Sequence, residues 1–208
     1  MKNATIYVVD DDLSVRKGLT RLLRSTGYKV EAFGSADAFL MHERYEDVAC
    51  LLLDLCMSGM NGIELQQRLE HLDDTMPIIF LSGHAGVPDS VQAMKRGAVD
   101  FLTKPIDEEV LLPAIEVALE RCKNQLAKAV EMNSIKQRIE TLTQRELETA
   151  QWVISGLLNK QIATQLGIAE KTVKAHRAKV MQKMGVSSVV ELVRLCSIAG
   201  IDPMSAQE

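Results

Sequence analysis

The sequence predicts two folds in series, a parallel α/β sheet in the first half and an all-α bundle of short helices in the second. Three observations predict it. Up to about residue 120, short apolar runs bounded by turn residues alternate with apolar stripes at helical spacing, the pattern of successive βα units. From Leu142 onward the pattern is purely helical and each stripe is short. The charges divide as well: residues 1–120 hold 11 Lys and Arg against 20 Asp and Glu, and residues 121–208 hold 13 against 8. Halves of −9 and +5 therefore lie within a chain of 208 residues and net charge −4. A basic half points to a polyanionic partner.

The runs read as strands are Thr5 to Val9, Lys29 to Phe33, Cys50 to Leu53, Ile78 to Leu81 and Val99 to Leu102. Continuous apolar runs of this length suit strands buried on both faces. Between them, Leu13, Val15, Leu19, Leu22 and Leu23 make a helical stripe closed by Gly27; Ile63, Leu65, Leu69 and Leu72 follow Gly62; Val91, Met94 and Ala98 precede Asp100. A single long helix is expected from about 108 to 138, with Asp107, Glu108 and Glu109 at its positive end. Pro113 should delay or kink it. Its stripe of Leu119, Cys122, Leu126 and Ala129, continued by Ile135, Ile139 and Leu142, either seals against the first domain or pairs with a second subunit.

Four short helices follow. Thr143 with Glu146 three residues on is a capping box for the first. Asn159 is expected to cap the second, Gly167-Ile168-Ala169 is a tight turn, Glu170 to Met184 gives the third, and Ser187 or Ser188 to Ser197 the fourth. The expected domains are 1–120, a helical linker over 121–140, and 141–208. No apolar run is long enough to span a bilayer and the first nine residues lack a signal-peptide plan, so a cytoplasmic protein with no membrane partner is expected. Cys50, Cys56, Cys122 and Cys196 are too scattered for a zinc site or a disulfide framework.

The polar residues at the strand ends carry the chemistry. The first strand runs into Asp10-Asp11-Asp12, the third into Asp54, the fourth into Ser82, and the fifth is followed by Lys104-Pro105. In open parallel sheets ligands bind outside these strand ends. Carboxylates converging there repel by about 3 kcal/mol per pair at ~5 Å and an effective dielectric near 20. Mg²⁺ relieves that repulsion and would clamp a phosphoryl group delivered to Asp54, with Ser82 and Lys104 supplying a hydroxyl and a positive charge to its other oxygens.

These residues resemble the receiver domain of two-component response regulators. The stretches Gly83-His84-Ala85-Gly86-Val87-Pro88 and Ala93 to Phe101 resemble the FixJ-type branch in particular. The resemblance covers nearly all of residues 3–120 and implies a flavodoxin-like (βα)5 fold. It implies Asp54 as phosphoacceptor, and Mg²⁺ held by Asp10, Asp11, Asp54 and the backbone carbonyl of Cys56. It further implies Ser82 and Phe101 as switch residues and Lys104 as the phosphoryl-binding lysine before a cis-proline. The chain departs from the family at Met57-Ser58-Gly59, where Met-Pro-Gly is usual, so a proline that stiffens the loop is lost. His84 is a candidate contact for the water that removes the phosphoryl group, and the thiol of Cys56 a candidate redox gate.

In the second half, Lys171, Lys174, Arg177, Lys179 and Lys183 share one helix with no acid after Glu170, and that helix follows a glycine-containing turn. This is the plan of a helix-turn-helix reader of DNA. The stretches Leu142 to Glu146, Gly156 to Ala163, Thr172 to Arg177 and Val180 to Met184 resemble the four-helix LuxR/NarL-type output domain. That resemblance implies base-facing Lys174, Ala175 and Ala178, and phosphate contacts from Lys160, Lys171, Thr172, Arg177 and Lys179. It also implies a fourth helix that dimerises.

The sequence thus predicts a regulator, not an enzyme, that takes a phosphoryl group from a sensor histidine kinase, dimerises on phosphorylation, and binds promoter DNA, with RNA polymerase as a further partner. Two rival readings remain. Asp10-Asp11-Asp12-Leu13-Ser14 resembles the nucleophile motif of haloacid-dehalogenase-type phosphatases, and Cys56 alone could gate DNA binding by oxidation.

Overall fold

The computed structural model describes residues 4–43, 48–72, 74–83 and 87–205. Five strands, β1 (Thr5–Val9), β2 (Lys29–Phe33), β3 (Ala49–Asp54), β4 (Ile78–Ser82) and β5 (Asp100–Thr103), pair in parallel in the order β2-β1-β3-β4-β5. Between them run α1 (Leu13–Ser25), α2 (Ala36–Leu40), α3 (Gly62–His71) and α4 (Val87–Lys95). Alternate side chains of the central strands go to opposite faces, as the pleat requires. Ile6, Val8, Cys50 and Leu52 join a core shared with Leu19, Leu23, Leu111 and Ile115; Tyr7, Val9, Leu51 and Leu53 join another with Phe39, Leu65 and Leu69. Burial on both faces is why these strands read as unbroken apolar runs.

The strand boundaries fall within one residue of the sequence expectation. Helix α2 was not legible, because its five residues are too few to show a stripe. Ser35 caps it, accepting from the N–H of Ala38 at 3.2 Å. The order of strands turns between β1 and β3, and that turn is where Asp10 and Asp54 emerge side by side.

Helix α5 (Glu108–Glu140) is continuous across Pro113. Asp107 caps it, its carboxylate accepting from the N–H of Glu109 at 2.9 Å. Pro113 lies on the exposed face close to this start, and Glu109, whose carbonyl loses its helical donor there, is exposed to water. The chain divides into two compact units, Met1–Leu126 and Ala127–Glu208. The stripe on α5 serves them separately: Leu119 and Cys122 pack within the first, Ile135 and Ile139 within the second.

The second unit adds α6 (Gln144–Ile154), α7 (Asn159–Leu166), α8 (Glu170–Met184) and α9 (Val189–Ile198) around Trp152, Val153, Ile162, Val173, Val180 and Leu192. The Thr143–Glu146 capping box forms as expected, and Ser188 with Glu191 makes another on α9. Asn159 does not cap α7. The cap position belongs to Leu158, whose N–H is taken by the Gln161 side chain at 2.8 Å, and Asn159 instead accepts from Arg177 Nη1 at 3.1 Å. Gly167 at φ 64° ends α7 in the left-handed region, turning the chain into α8.

Candidate functional site

Two strands deliver the acidic cluster. Asp10 and Asp11 follow β1 and Asp54 ends β3, and ligand oxygens of all three lie within 4.8 Å of one another. Beyond β5, Lys104 reaches back, its Nζ 2.7 Å from Asp10 Oδ2 and 3.0 Å from Asp54 Oδ1. The Lys104–Pro105 peptide is cis, as the resemblance implied. Asp12 is not part of the cluster; it caps α1, accepting from Ser14 N at 2.7 Å. Carboxylate oxygens gathered this closely, with no soft donor among them, suit a hard cation such as Mg²⁺.

The electrostatics follow from burial. Asp10 is fully buried and Asp54 nearly so, while Asp11 is exposed. Burial pushes the Asp54 carboxyl above its ordinary range; the hydrogen bond and charge of Lys104 pull it down, and the Asp10 and Asp11 charges push it up again. Burial works against the charge on Lys104, but its hydrogen bonds to Asp10 and Asp54 prevail and hold its pKa above the ordinary lysine value. Lys104 is therefore charged at neutral pH and supplies the cluster with a positive charge.

Several groups that shape this site were not singled out from the sequence. Arg16 donates from Nη1 to the Asp10 carbonyl at 2.6 Å, and the N–H of Asp12 donates to Asp10 Oδ1 at 2.8 Å. Arg16 looks from sequence like any solvated residue of a helix face. Gly62 has no room for a side chain: a Cβ there would stand 2.5 Å from the Asp54 carbonyl oxygen. The backbone N–H of Ser58 donates to Asp11 Oδ2 at 2.9 Å.

Ser82 is buried at the end of β4, and its carbonyl accepts from Lys104 N at 2.7 Å. Phe101 on β5 is half-buried and stacks on its cross-strand neighbour Phe80, with centroids 6.1 Å apart. Cys56 is exposed and lines, with Asp11 and Ser58, a cleft beside the acidic cluster. His84 lies outside the described residues.

In the second unit, α8 buries Val173, Val180 and Met184 and presents the opposite face. Lys171, Thr172, Lys174, Ala175, Ala178 and Lys179 are all exposed, and so is Lys160 at the start of α7. Residues 171, 174, 175 and 178 fall at successive helical contacts, so they form one stripe. Lys174 pairs with Glu170 on the surface at 3.1 Å. Two members of the basic run do structural work. Arg177 is partly buried and ties α8 to Asn159. Lys183 bonds Glu146 at 2.6 Å and the Thr141 carbonyl at 2.8 Å, away from the stripe.

Comparison with known proteins agrees with both halves. Residues 6–116 match the family profile of the response regulator receiver domain, and residues 140–196 that of the bacterial regulatory proteins of the luxR family. The response regulator protein TodT of Pseudomonas putida is 45% identical over 192 residues, 92% of this chain and 85% of its own length. The transcriptional regulatory protein FixJ of Rhizobium meliloti is 40% identical over 203 residues, 98% of this chain and 100% of its own length. Among solved structures, the response regulator StyR superposes with a TM-score of 0.83 at 48% identity, covering 94% of this chain and 98% of that one. Full-length FixJ from B. japonicum gives 0.57 at 38% identity, covering 97% and 98%.

Proposed function

The chain belongs to the two-component response regulators of the FixJ type, phosphorylation-dependent transcriptional regulators that join a receiver domain to a LuxR-type DNA-binding domain, and from that premise we propose that Asp54 accepts the phosphoryl group. The observation that carries this is the convergence of Asp10, Asp11, Asp54 and Lys104 at the carboxyl end of one parallel sheet. Receiver domains use Mg²⁺ at an acidic pocket. Here Asp10, Asp11, Asp54 and the Cys56 carbonyl would hold it, and it would supply charge neutralisation for an incoming phosphoryl group. An Asp54 oxygen forms the new bond to phosphorus as the N–P bond to the kinase's phosphohistidine breaks and the imidazole leaves; Lys104 and Ser82 bind the transferred phosphoryl oxygens.

Asp10 makes a poor nucleophile by comparison. It is fully buried, one oxygen is held by Lys104 and the other by the Asp12 N–H. This disfavours the phosphatase reading, and we read the chain as having no substrate turnover of its own. The exposure of Cys56 alone supports no redox gate.

The receiver is assigned to 1–120, the linker to 121–140 and the DNA-binding domain to 141–208. A phosphoryl group on Asp54 is a new dianion that draws Ser82 toward it, and Phe101 turns into the space released. The change reaches the face of α4 and β5, where Val91 and Met94 are 45% and 46% exposed. Pairing there brings two DNA-binding domains onto two half-sites with greater combined affinity. Lys174, Ala175 and Ala178 meet base edges, while Lys160, Lys171, Thr172, Arg177 and Lys179 meet phosphates. The partners are a sensor histidine kinase as donor, promoter DNA, a second copy of the chain, and RNA polymerase.

The test uses acetyl phosphate with Mg²⁺ on the full chain, following mass by light scattering and promoter binding by footprint. Wild type dimerises and binds; Asp54→Asn does neither. Equal stimulation of Asp54→Asn refutes the assignment.

A further inference from the structure

We infer that Ser58 is a positioning residue for the cation site, acting through its backbone N–H on Asp11. This rests on the reading of Asp10, Asp11 and Asp54 as the Mg²⁺ ligands. Of the three carboxylates, Asp10 and Asp54 are fixed by burial and by Lys104. Asp11 is exposed and has neither support. A solvated aspartate samples several rotamers, and a ligand that must order it loses affinity by that amount. The bond from Ser58 N to Asp11 Oδ2, 2.9 Å long, joins residues 47 apart in sequence and holds Asp11 in place before any cation arrives. With Oδ2 bonded to the loop, Asp11 has a defined orientation among the three carboxylates.

The loop that carries this donor is itself held. Its base is closed by the Gly62 N–H on the Leu55 carbonyl at 3.0 Å. Gly59 turns it at φ 79°, a conformation that other residues rarely take. Its exit is the capping box in which Asn61 and Glu64 exchange bonds of 2.9 Å. The contact uses only the peptide N–H, so the Ser58 hydroxyl is not required. Any residue at 58 but proline can give this bond, so it is a feature this chain gains where the usual loop-stiffening proline is lost, an addition to the cation site and not a requirement for it.

The experiment is an Mg²⁺ titration of the ¹⁵N-labelled full chain, following the amides of Asp10, Asp11 and Leu55, on wild type, Ser58→Ala and Ser58→Pro. Ser58→Ala keeps wild-type affinity; Ser58→Pro weakens it about three- to tenfold, the cost of ordering one side chain. Slow exchange of the Leu51–Leu53 amides checks that each variant is folded. Independently of any variant at 58, the Ser58 amide of metal-free wild type is protected from exchange and loses that protection in Asp11→Ala. Ser58→Pro binding as tightly as wild type, or a Ser58 amide indifferent to Asp11→Ala, overturns the inference while leaving the cation site standing. A wild-type chain that binds no Mg²⁺ overturns the cation-site reading itself.

Discussion

Two glycine-to-alanine changes, both in helices of the receiver unit, should move stability in opposite directions. Gly18 lies exposed in the middle of α1, and a Cβ there meets nothing within 4 Å. Alanine at 18 only removes unfolded-state freedom, so Gly18→Ala stabilises by about 0.5–1 kcal/mol. Gly62 opens α3 without a left-handed φ, so backbone strain is not at issue. Its Cβ would lie 2.5 Å from the Asp54 carbonyl oxygen, 3.0 Å from Phe80 Cε1 and 3.1 Å from Leu55 Cα. Ordinary contacts begin at 3.4 Å, so about 0.9 Å of displacement is demanded of the Asp54 carbonyl. Two of the three walls are main chain, which cannot rotate away. Overpacking of this kind costs about 1–3 kcal/mol, and the backbone walls put Gly62→Ala near the top of that range. The pair therefore differs by about 4 kcal/mol, roughly three decades in opening equilibrium at ~1.4 kcal/mol per decade. Hydrogen exchange of the Leu51–Leu53 amides on β3 reads this directly. Protection in Gly62→Ala equal to or above wild type would refute the steric reasoning.

Three further outcomes are expected. Lys104→Met removes the hydrogen bond and charge that lower the Asp54 pKa, so the Asp54 carboxyl titrates still higher, measurable by ¹³C NMR; an unchanged or lower value would deny that Lys104 offsets burial there. Glu146 is held down to about 2 from an ordinary 4.5, first by its bond from Lys183 and then by the Thr143 N–H. A lowered acid pKa stabilises fully above its unfolded value, so the second unit loses this contribution as pH falls from about 4.5 toward 2. Trp152, the one tryptophan, is buried in that unit and reports its unfolding; Glu146→Gln should flatten the pH dependence in that window. Lys179→Ala should weaken binding to all DNA sequences alike and reduce the salt slope by about one, in gel-shift titrations over a range of salt.

What could be read from the sequence was whatever a pattern of residue types encodes. The runs at residues 5–9 and 50–53 are apolar on both faces because β1 and β3 are central, and so they announced themselves. The charged and polar residues at the strand ends did the same for the cluster of Asp10, Asp54 and Lys104. Contacts made by the backbone left no such trace. The Ser58 N–H on Asp11 and the closeness of Gly62 to the Asp54 carbonyl depend on where the loop goes, not on side-chain identity. The second unit shows the reverse difficulty. Five cations on α8 look equivalent in sequence, yet Arg177 and Lys183 are engaged by Asn159 and Glu146, partners 18 and 37 residues away. Only the tertiary fold shows which of these cations also hold the domain together.

The choice of lysine at 104 follows from the charge balance of the site. Three carboxyl groups, Asp10, Asp11 and Asp54, meet the single ammonium of Lys104 in the pocket, an excess of acidic over basic groups that suits a divalent cation. On the proposed reading, phosphorylation of Asp54 would put a dianionic group on the carboxylate that Lys104 now touches. Lys104 would then exchange its Asp54 partner for a phosphoryl oxygen while keeping the other, Asp10. A compact ammonium on a flexible four-carbon stem makes that exchange, because its three donors need no common plane. The planar fork of arginine would be pre-set for bidentate hold of one carboxylate and would not reorient without losing both bonds. On this argument Lys104→Arg keeps the charge and still impairs phosphorylation-dependent dimerisation, whereas it leaves the fold intact. Wild-type dimerisation by Lys104→Arg in the acetyl phosphate assay would show that charge alone suffices at this position.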